Sequence, residues 1–321
     1  MARFNLMLNM SWQPTASIAT LQRRAEILAR IRRFFAERNV LEVETPLLSS
    51  AGVSDIYLNN ITASIKDKTY YLQTSPEYAM KRLICAGSGS IYQICKAFRQ
   101  DEVSKLHNPE FTMIEWYRMG MDHHALMDEV AELLQLVLNC ETVERYTYKT
   151  VFQKYLNIDP HEADIQQLKL LSKDIGFSGE LDKDGWLQLL MGHTIEPELG
   201  KDNPVMIYDF PASQAALAKI RNETPPVASR FEIYYKGIEL GNGFHELQDA
   251  KEQRARFEKD LAERKKRELP SVPLDEHFLK ALEHGLPDCS GVAVGIDRLI
   301  MLALNEIQIS KIMSFDFDHS S

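Results

Sequence analysis

The sequence predicts an α+β fold in which an antiparallel sheet is flanked by helices. Two patterns point there. Strand-like stretches lie only a hairpin loop apart, as at residues 230–235 and 238–244, and helical stretches are gathered in blocks between such runs. The 321 residues are 45% hydrophobic and 26% charged, enough to bury one large core or two modest ones. No internal repeat or low-complexity tract is present. A single domain over 1–321 is expected, with a helical insertion at about 145–200.

The elements follow in order. Over 17–39, Leu21, Ala25, Leu28, Ile31 and Phe35 recur at helical spacing, with Ser17 as N-cap and Asn39 as stop. Leu41, Val43 and Thr45 then alternate with Glu42 and Glu44 up to Pro46, which predicts a short strand with one buried face. Residues 69–74 and 91–98 are expected to pair as strands. Between them 77–86 is helical and Gly87-Ser88-Gly89 forms a turn. After a polar stretch to His107, residues 111–117 are again strand-like, and Asp122 caps a helix carrying Leu126, Val130, Leu133, Leu134 and Val137. Strand signals resume at 205–210, 230–235 and 238–244. The charged helix at 249–267 presents a solvated face. Residues 291–305 run from a strand into an apolar helix.

Composition narrows the chemistry. Asp plus Glu outnumber Lys plus Arg by 46 to 37, a formal charge of −9. That balance suits a cationic small substrate or a basic protein partner better than nucleic acid. Cys85, Cys95, Cys140 and Cys289 lack zinc-ligand spacing and are expected to be free, buried thiols in a reducing compartment. The apolar start at 1–10 is short, is broken by Asn5 and Asn9, and has no cleavage site after it. Nothing approaches the ~20 apolar residues of a membrane span. A cytoplasmic protein is expected.

No P-loop, dinucleotide fingerprint or nucleophile elbow is present. What stands out is a set of charged residues in or beside strands: Arg99-Gln100-Asp101-Glu102, Glu232, Glu239, Glu246 and Asp297-Arg298. Singly each has an ordinary alternative, such as a surface ion pair or a solvated strand face, and Gly241-Asn242-Gly243 alone would be a turn.

Together they resemble a family. Phe98-Arg99-Gln100-Asp101 with His107-Asn108-Pro109-Glu110-Phe111-Thr112-Met113-Ile114-Glu115-Trp116-Tyr117 resembles motif 2 of the class II aminoacyl-tRNA synthetases. Gly291-Val292-Ala293-Val294-Gly295-Ile296-Asp297-Arg298-Leu299 resembles motif 3, and 26–46 resembles motif 1. Glu239-Leu240-Gly241-Asn242-Gly243-Phe244-His245-Glu246-Leu247 is similar to the amino-acid pocket of the lysyl enzymes. The resemblance runs from about Thr20 to the end of the chain. It implies the class II catalytic core and formation of an aminoacyl adenylate from ATP with Mg²⁺.

Carried over by position, it implies that Arg99 clamps the α-phosphate and Arg298 the γ-phosphate, as guanidinium forks fit phosphate oxygens. Gln100, Asp101, Asn108, Phe111, Glu239, Leu240 and Gly295 complete the ATP site, with Phe111 stacking on adenine. Glu232 and Glu239 hold the metal. Ser75, Pro76, Glu77, Tyr117, Asn242, Glu246 and Ala293 take the amino acid. Glu77 meets the amine near the carboxylate, and Glu246 with Tyr117 meets the distal one. A buried cation needs such partners.

Three departures set the chain apart from the lysyl enzymes. Motif 1 begins almost at the start, so no anticodon-reading barrel is expected. The motif 2 loop reads Ser104-Lys105-Leu106-His107, without the usual arginine. Ala293 stands where those enzymes have glycine, and its methyl group is expected to disfavour ordinary lysine. This combination resembles the paralogue family that ligates (R)-β-lysine to a lysine of elongation factor P, which implies a protein acceptor and no tRNA. A fragment still charging tRNA, an asparagine synthetase-like amide former and a non-catalytic paralogue are the competing readings. The motif 1 resemblance implies a homodimer, although the 21–35 stripe suits an intrachain core equally well.

Overall fold

The computed structural model describes residues 12–100 and 103–320. The opening segment 1–10 and Asp101 therefore lie outside the described residues. The first helix, α1 (Ile18–Glu37), starts where Ser17 Oγ accepts from the Thr20 amide, as its capping role predicts. Its buried face is Ile27, Ile31, Phe34 and Phe35, so the apolar stripe is rotated from the one expected: Ala25 is exposed, and Leu21 and Leu28 lie at the margin. The core wins this choice of face because Phe35 stacks on Tyr92 at 4.5 Å and meets Trp116 edge-on at 5.2 Å.

After α1 come β1 (Leu41–Glu42), β2 (Leu48–Ser49), β3 (Thr62–Ile65), β4 (Lys68–Leu72), α2 (Glu77–Cys85), β5 (Ile91–Phe98), β6 (Glu110–Met119) and α3 (His123–Leu138). Two expectations fail here. The strand at 41–45 is only two residues long, runs parallel to β5, and leaves Leu41 56% exposed. The stretches at 69–74 and 91–98 do not pair. The first joins a three-stranded sheet, β2-β4-β3, and the second enters the main sheet. Alternation marks a strand but not its partner.

Next follow β7 (Glu144–Thr147), α4 (Tyr148–Leu156), α5 (Ile165–Leu171), α6 (Lys183–Leu190) and β8 (Val205–Pro211). The stretch at 145–200 is thus mostly helical, but its first residues form β7, a strand parallel to β8. Trp186, Leu187, Leu190 and Ile195 pack with Val205, Ile207 and Phe210 of the sheet in one apolar cluster. The chain closes with β9 (Ile220–Arg221), β10 (Val227–Tyr235), β11 (Ile238–His245), α7 (Ala250–Lys266), α8 (Glu276–His284), β12 (Cys289–Gly295) and α9 (Ile296–Ala303).

The main sheet runs β1-β5-β6-β12-β11-β10-β8-β7, with β9 beside β10, and is antiparallel except at its two ends. Gly241-Asn242-Gly243 lies inside β11 rather than at a turn. Glycine is needed there because a Cβ on Gly241 would lie 2.1 Å from the Ala293 carbonyl oxygen across the ladder. The charged helix α7 is not solvated throughout. Arg264 is 2% exposed and donates to the Asp55, Leu58 and Pro270 carbonyls. All four cysteines are free thiols, but only Cys289 is buried. Among the described residues no helix is long and apolar enough to cross a membrane.

Candidate active site

Three strands place the chemistry. β12 lies between β6 and β11, so Ala293 faces Glu115 on one side and Asn242 on the other, and Gly291 is level with Tyr117. One buried carboxylate joins the segments from below: Asp297 accepts from the Thr112 amide at 2.7 Å and pairs with Arg24 of α1, also at 2.7 Å. Arg24 donates to Thr112 Oγ1 as well. Asp297 is thus paired at long range rather than with its neighbour Arg298, and α1, β6 and α9 are tied at one point.

Above the strands opens a cavity of about 450 Å³, within the range of small-molecule sites. Arg99, Asn108, Phe111, Glu232, Glu239, Leu240, Asn242, Ala293, Gly295 and Arg298 all line it. Gln100 does not: it is exposed, and its amide bonds the Asn59 carbonyl. The Arg99 guanidinium carbon sits 5.1 Å from the Phe111 ring centre. Asn108 is buried with its side chain committed to protein, donating to the Glu110 carbonyl and accepting from the Phe317 amide. Arg298 is fixed by the Glu239 carbonyl at 2.7 Å, the Leu106 carbonyl at 3.2 Å and His107 Nε2 at 2.6 Å. A guanidinium only donates, so His107 Nε2 accepts and its Nδ1–H turns to Ser104 Oγ at 2.8 Å.

Glu232 accepts from Arg230 and from the Tyr234 hydroxyl. Burial, then the charge of Glu232, raises the Glu239 carboxyl above the usual range, against the pull of Arg298 and Arg99. Two such carboxyls on one cavity fit a divalent cation that keeps water and phosphate among its ligands. Among the described residues no group of three or more His, Cys, Asp or Glu forms a full protein cage. Glu196, which sequence reasoning missed, stands behind them, 3.4 Å from the Tyr234 hydroxyl. Burial and the two glutamates push it up to about 7.

The amino-acid residues split into three groups. Asn242 and Ala293 line the large cavity, and Ser75 and Pro76 line a smaller one of about 120 Å³ beside it. Glu77, Tyr117 and Glu246 gather in a buried cluster around two residues that the sequence reading did not single out. Lys81, 1% exposed, pairs with Glu77 and with Glu246 at 2.6 Å each. Glu115 accepts from Ser75 Oγ and from the Tyr117 hydroxyl, also at 2.6 Å each. The Tyr117 hydroxyl thus donates to Glu115. Gly291 is required here, since a Cβ would lie 2.3 Å from the Tyr117 ring and 2.6 Å from Glu246 Oε1. Burial, then Glu77, pushes Glu115 up to about 7, and burial pushes Glu246 up to about 8 although Lys81 opposes it. Burial lowers Lys81, but the Glu246 and Glu77 charges outweigh it and hold its ammonium above the ordinary lysine range. Spacing could have found Lys81: it follows Glu77 by one helical turn.

The family of tRNA synthetases class II (D, K and N) matches residues 7–318. Curated relatives match over nearly their whole length. A protein of Vibrio cholerae is 54% identical over 321 residues, covering 97% of this chain and 99% of its own. One of Edwardsiella ictaluri is 51% identical over 320 residues, 97% and 98% of the two chains. One of Haemophilus ducreyi is 52% identical over 318 residues, 97% of each. All three are named elongation factor P–(R)-β-lysine ligase.

Proposed function

Because this chain belongs to the class II tRNA synthetases of the D, K and N type, we propose that it activates (R)-β-lysine as its adenylate and ligates it to elongation factor P. It is an ATP-dependent, AMP-forming ligase. One observation carries the choice of substrate. The register of β12 sets Glu115 level with Ala293 of the cavity that Arg99 and Arg298 line, and Glu77 and Glu246, bridged by Lys81, gather with it as a trap for amines.

The substrate carboxylate attacks the α-phosphorus and diphosphate leaves. The deprotonated ε-amine of a lysine on the acceptor then attacks the adenylate carbonyl, forming an amide and releasing AMP. Both steps need positioning and fixed positive charge more than proton transfer. Arg99 holds the α-phosphate and the anchored Arg298 the γ-phosphate. Phe111 offers a face to adenine, and Gly295, where an added Cβ would meet nothing beyond its chain neighbours nearer than the Leu240 carbonyl oxygen at 3.6 Å, leaves room for the nucleotide. Glu232 and Glu239 would hold Mg²⁺, which would supply charge neutralisation for the diphosphate. The methyl group of Ala293, between Asn242 and Glu115, selects the β-amino acid.

The acceptor is a protein in the cytoplasm rather than tRNA. The described residues hold a catalytic core without an oligonucleotide-binding barrel. The enzyme works as a homodimer, joined through exposed Ile18 and Leu41 beside the α1–β1 segment. Sedimentation velocity tests this, and a monomer at micromolar concentration removes it.

Intact mass of elongation factor P after incubation with enzyme, ATP, Mg²⁺ and either (R)-β-lysine or L-lysine tests the whole reading. Addition is expected, stronger with (R)-β-lysine, and Ala293→Gly raises the L-lysine share. No addition, with pyrophosphate exchange intact, removes the acceptor. No exchange with either amino acid removes the activation chemistry.

A further inference from the structure

The buried amine trap already contains an amine. Lys81 lies on α2 with its Nζ 2.6 Å from Glu77 Oε1 and 2.6 Å from Glu246 Oε2. Glu115 stands beyond them, held by Ser75 and Tyr117. Among the described residues, the charged groups facing this point come from three elements. α2 supplies Glu77 and Lys81, β6 supplies Glu115 with the Tyr117 phenol, and Glu246 follows β11. Cys85 and Cys289 are neutral thiols with raised ionisation, caused first by burial. The ring of Phe278 lies 5.9 Å from Nζ and closes the apolar side.

The charge count has a consequence. Three carboxylates face one ammonium, so a fully ionised pocket lacks two positive charges. A substrate with two amino groups supplies both. A monoamino acid leaves one buried carboxylate uncompensated, which buried sites tolerate poorly. Without Lys81 even a diamino acid falls one charge short. Lys81 takes one oxygen of Glu77 and one of Glu246, leaving the second oxygen of each unclaimed by it. Glu246 Oε1 points toward β12 at Gly291.

We propose that Lys81 is a positioning and specificity-determining residue, a built-in counter-cation that balances the carboxylates around it and sets Glu77 and Glu246 for the two ammonium groups of a diamino acid. This rests on the proposed amino-acid activation. It assigns the preference for two amines over one to the balance of fixed charges in the pocket, not to any single glutamate.

Lys81→Met keeps most of the side-chain volume and removes the charge. In amino-acid-dependent pyrophosphate exchange its KM for the diamino acid is expected to rise about 30-fold or more, the scale of unpairing a buried charge, with kcat changed far less. Its affinity should also need a higher pH than wild type, because loss of a neighbouring cation raises the carboxyl ionisations. Lys81→Ala should be rescued in KM by added propylammonium but not by propan-1-ol, which fills the space without charge. An unchanged KM and pH profile in Lys81→Met, or equal rescue by propan-1-ol, overturns the proposal. If Lys81→Met does not fold, thermal unfolding of Lys81→Ala decides: stabilisation by propylammonium alone supports it, and by neither additive overturns it. Calorimetric binding of the diamino acid without ATP reads the same contrast, so a wild type that activates no amino acid would sink the proposed function separately.

Discussion

Glu115 and Glu246 carry the pH response at the residue scale. Burial pushes them up to about 7 and about 8. Both hold protons in the folded, empty pocket at pH values where the unfolded chain has released them. Their contribution to stability is therefore full below the ordinary carboxylate range and is lost as pH rises through about 7 and about 8. The amine substrate works in the opposite sense, since it needs the ionised forms. The melting temperature of the empty enzyme should fall from this cluster between about pH 6 and about pH 8.5, and the upward shift produced by a diamino acid should grow over the same span. Thermal scans with and without the amino acid read both, and a ligand shift that shrinks with rising pH would count against the assignment. Glu115 was quoted in its motif yet given no role, because a glutamate on a strand ordinarily faces water. β6 is covered on both faces, with Trp116 at 0% and Tyr117 at 2% exposure beside it, so neither side of that strand was open to solvent.

At the scale of elements, the segment between β2 and β3 has little secondary structure and still forms part of the cavity wall through Tyr57 and Leu58. Arg264 holds it. One guanidinium nitrogen bonds the Asp55 carbonyl at 2.6 Å and the Leu58 carbonyl at 3.0 Å, while the others reach Pro270. Arg264→Met would orphan these carbonyls at about 1–3 kcal/mol for each that stays buried. It should lower stability in urea denaturation by a few kcal/mol and raise KM for ATP several-fold. Loss of stability with KM for ATP unchanged would show that the segment does not need the anchor to bind nucleotide. Sequence reasoning placed many of the strands and helices, because period and caps are local signals: Ser17 and Asp122 both cap as their residue types suggest. It failed where partners are distant. The 69–74 stretch went to a separate sheet, and a helix with an almost unbroken charged surface concealed the one arginine that points inward.

For the whole molecule, the same distinction explains how much of the site was legible. Many of the cavity residues stood out in the sequence because motifs 2 and 3 and the 239–247 stretch are contiguous strings, and adjacent strands carry them. The Arg24–Asp297 pair and the Lys81 cluster were not, since each joins residues far apart in the chain or hidden behind a glutamate already given another task. The sheet order has one more outcome. β12, the last strand of the described chain, sits in the middle, with β1-β5-β6 on one flank and β11-β10-β8-β7 on the other. A nascent chain thus builds two half-sheets, each with a bare inner edge, and has nothing to place between them until residues 289–295 are made. Such edges recruit strands from other chains, so the stretch of synthesis before β12 arrives is when the protein most needs a chaperone. A chain stopped after residue 288 should accumulate in aggregates and show no cooperative melt. A soluble product with a sharp transition would mean that one half-sheet folds alone. On this topology the ribosome delivers the keystone after both flanks it joins, and activity during translation begins in a single step.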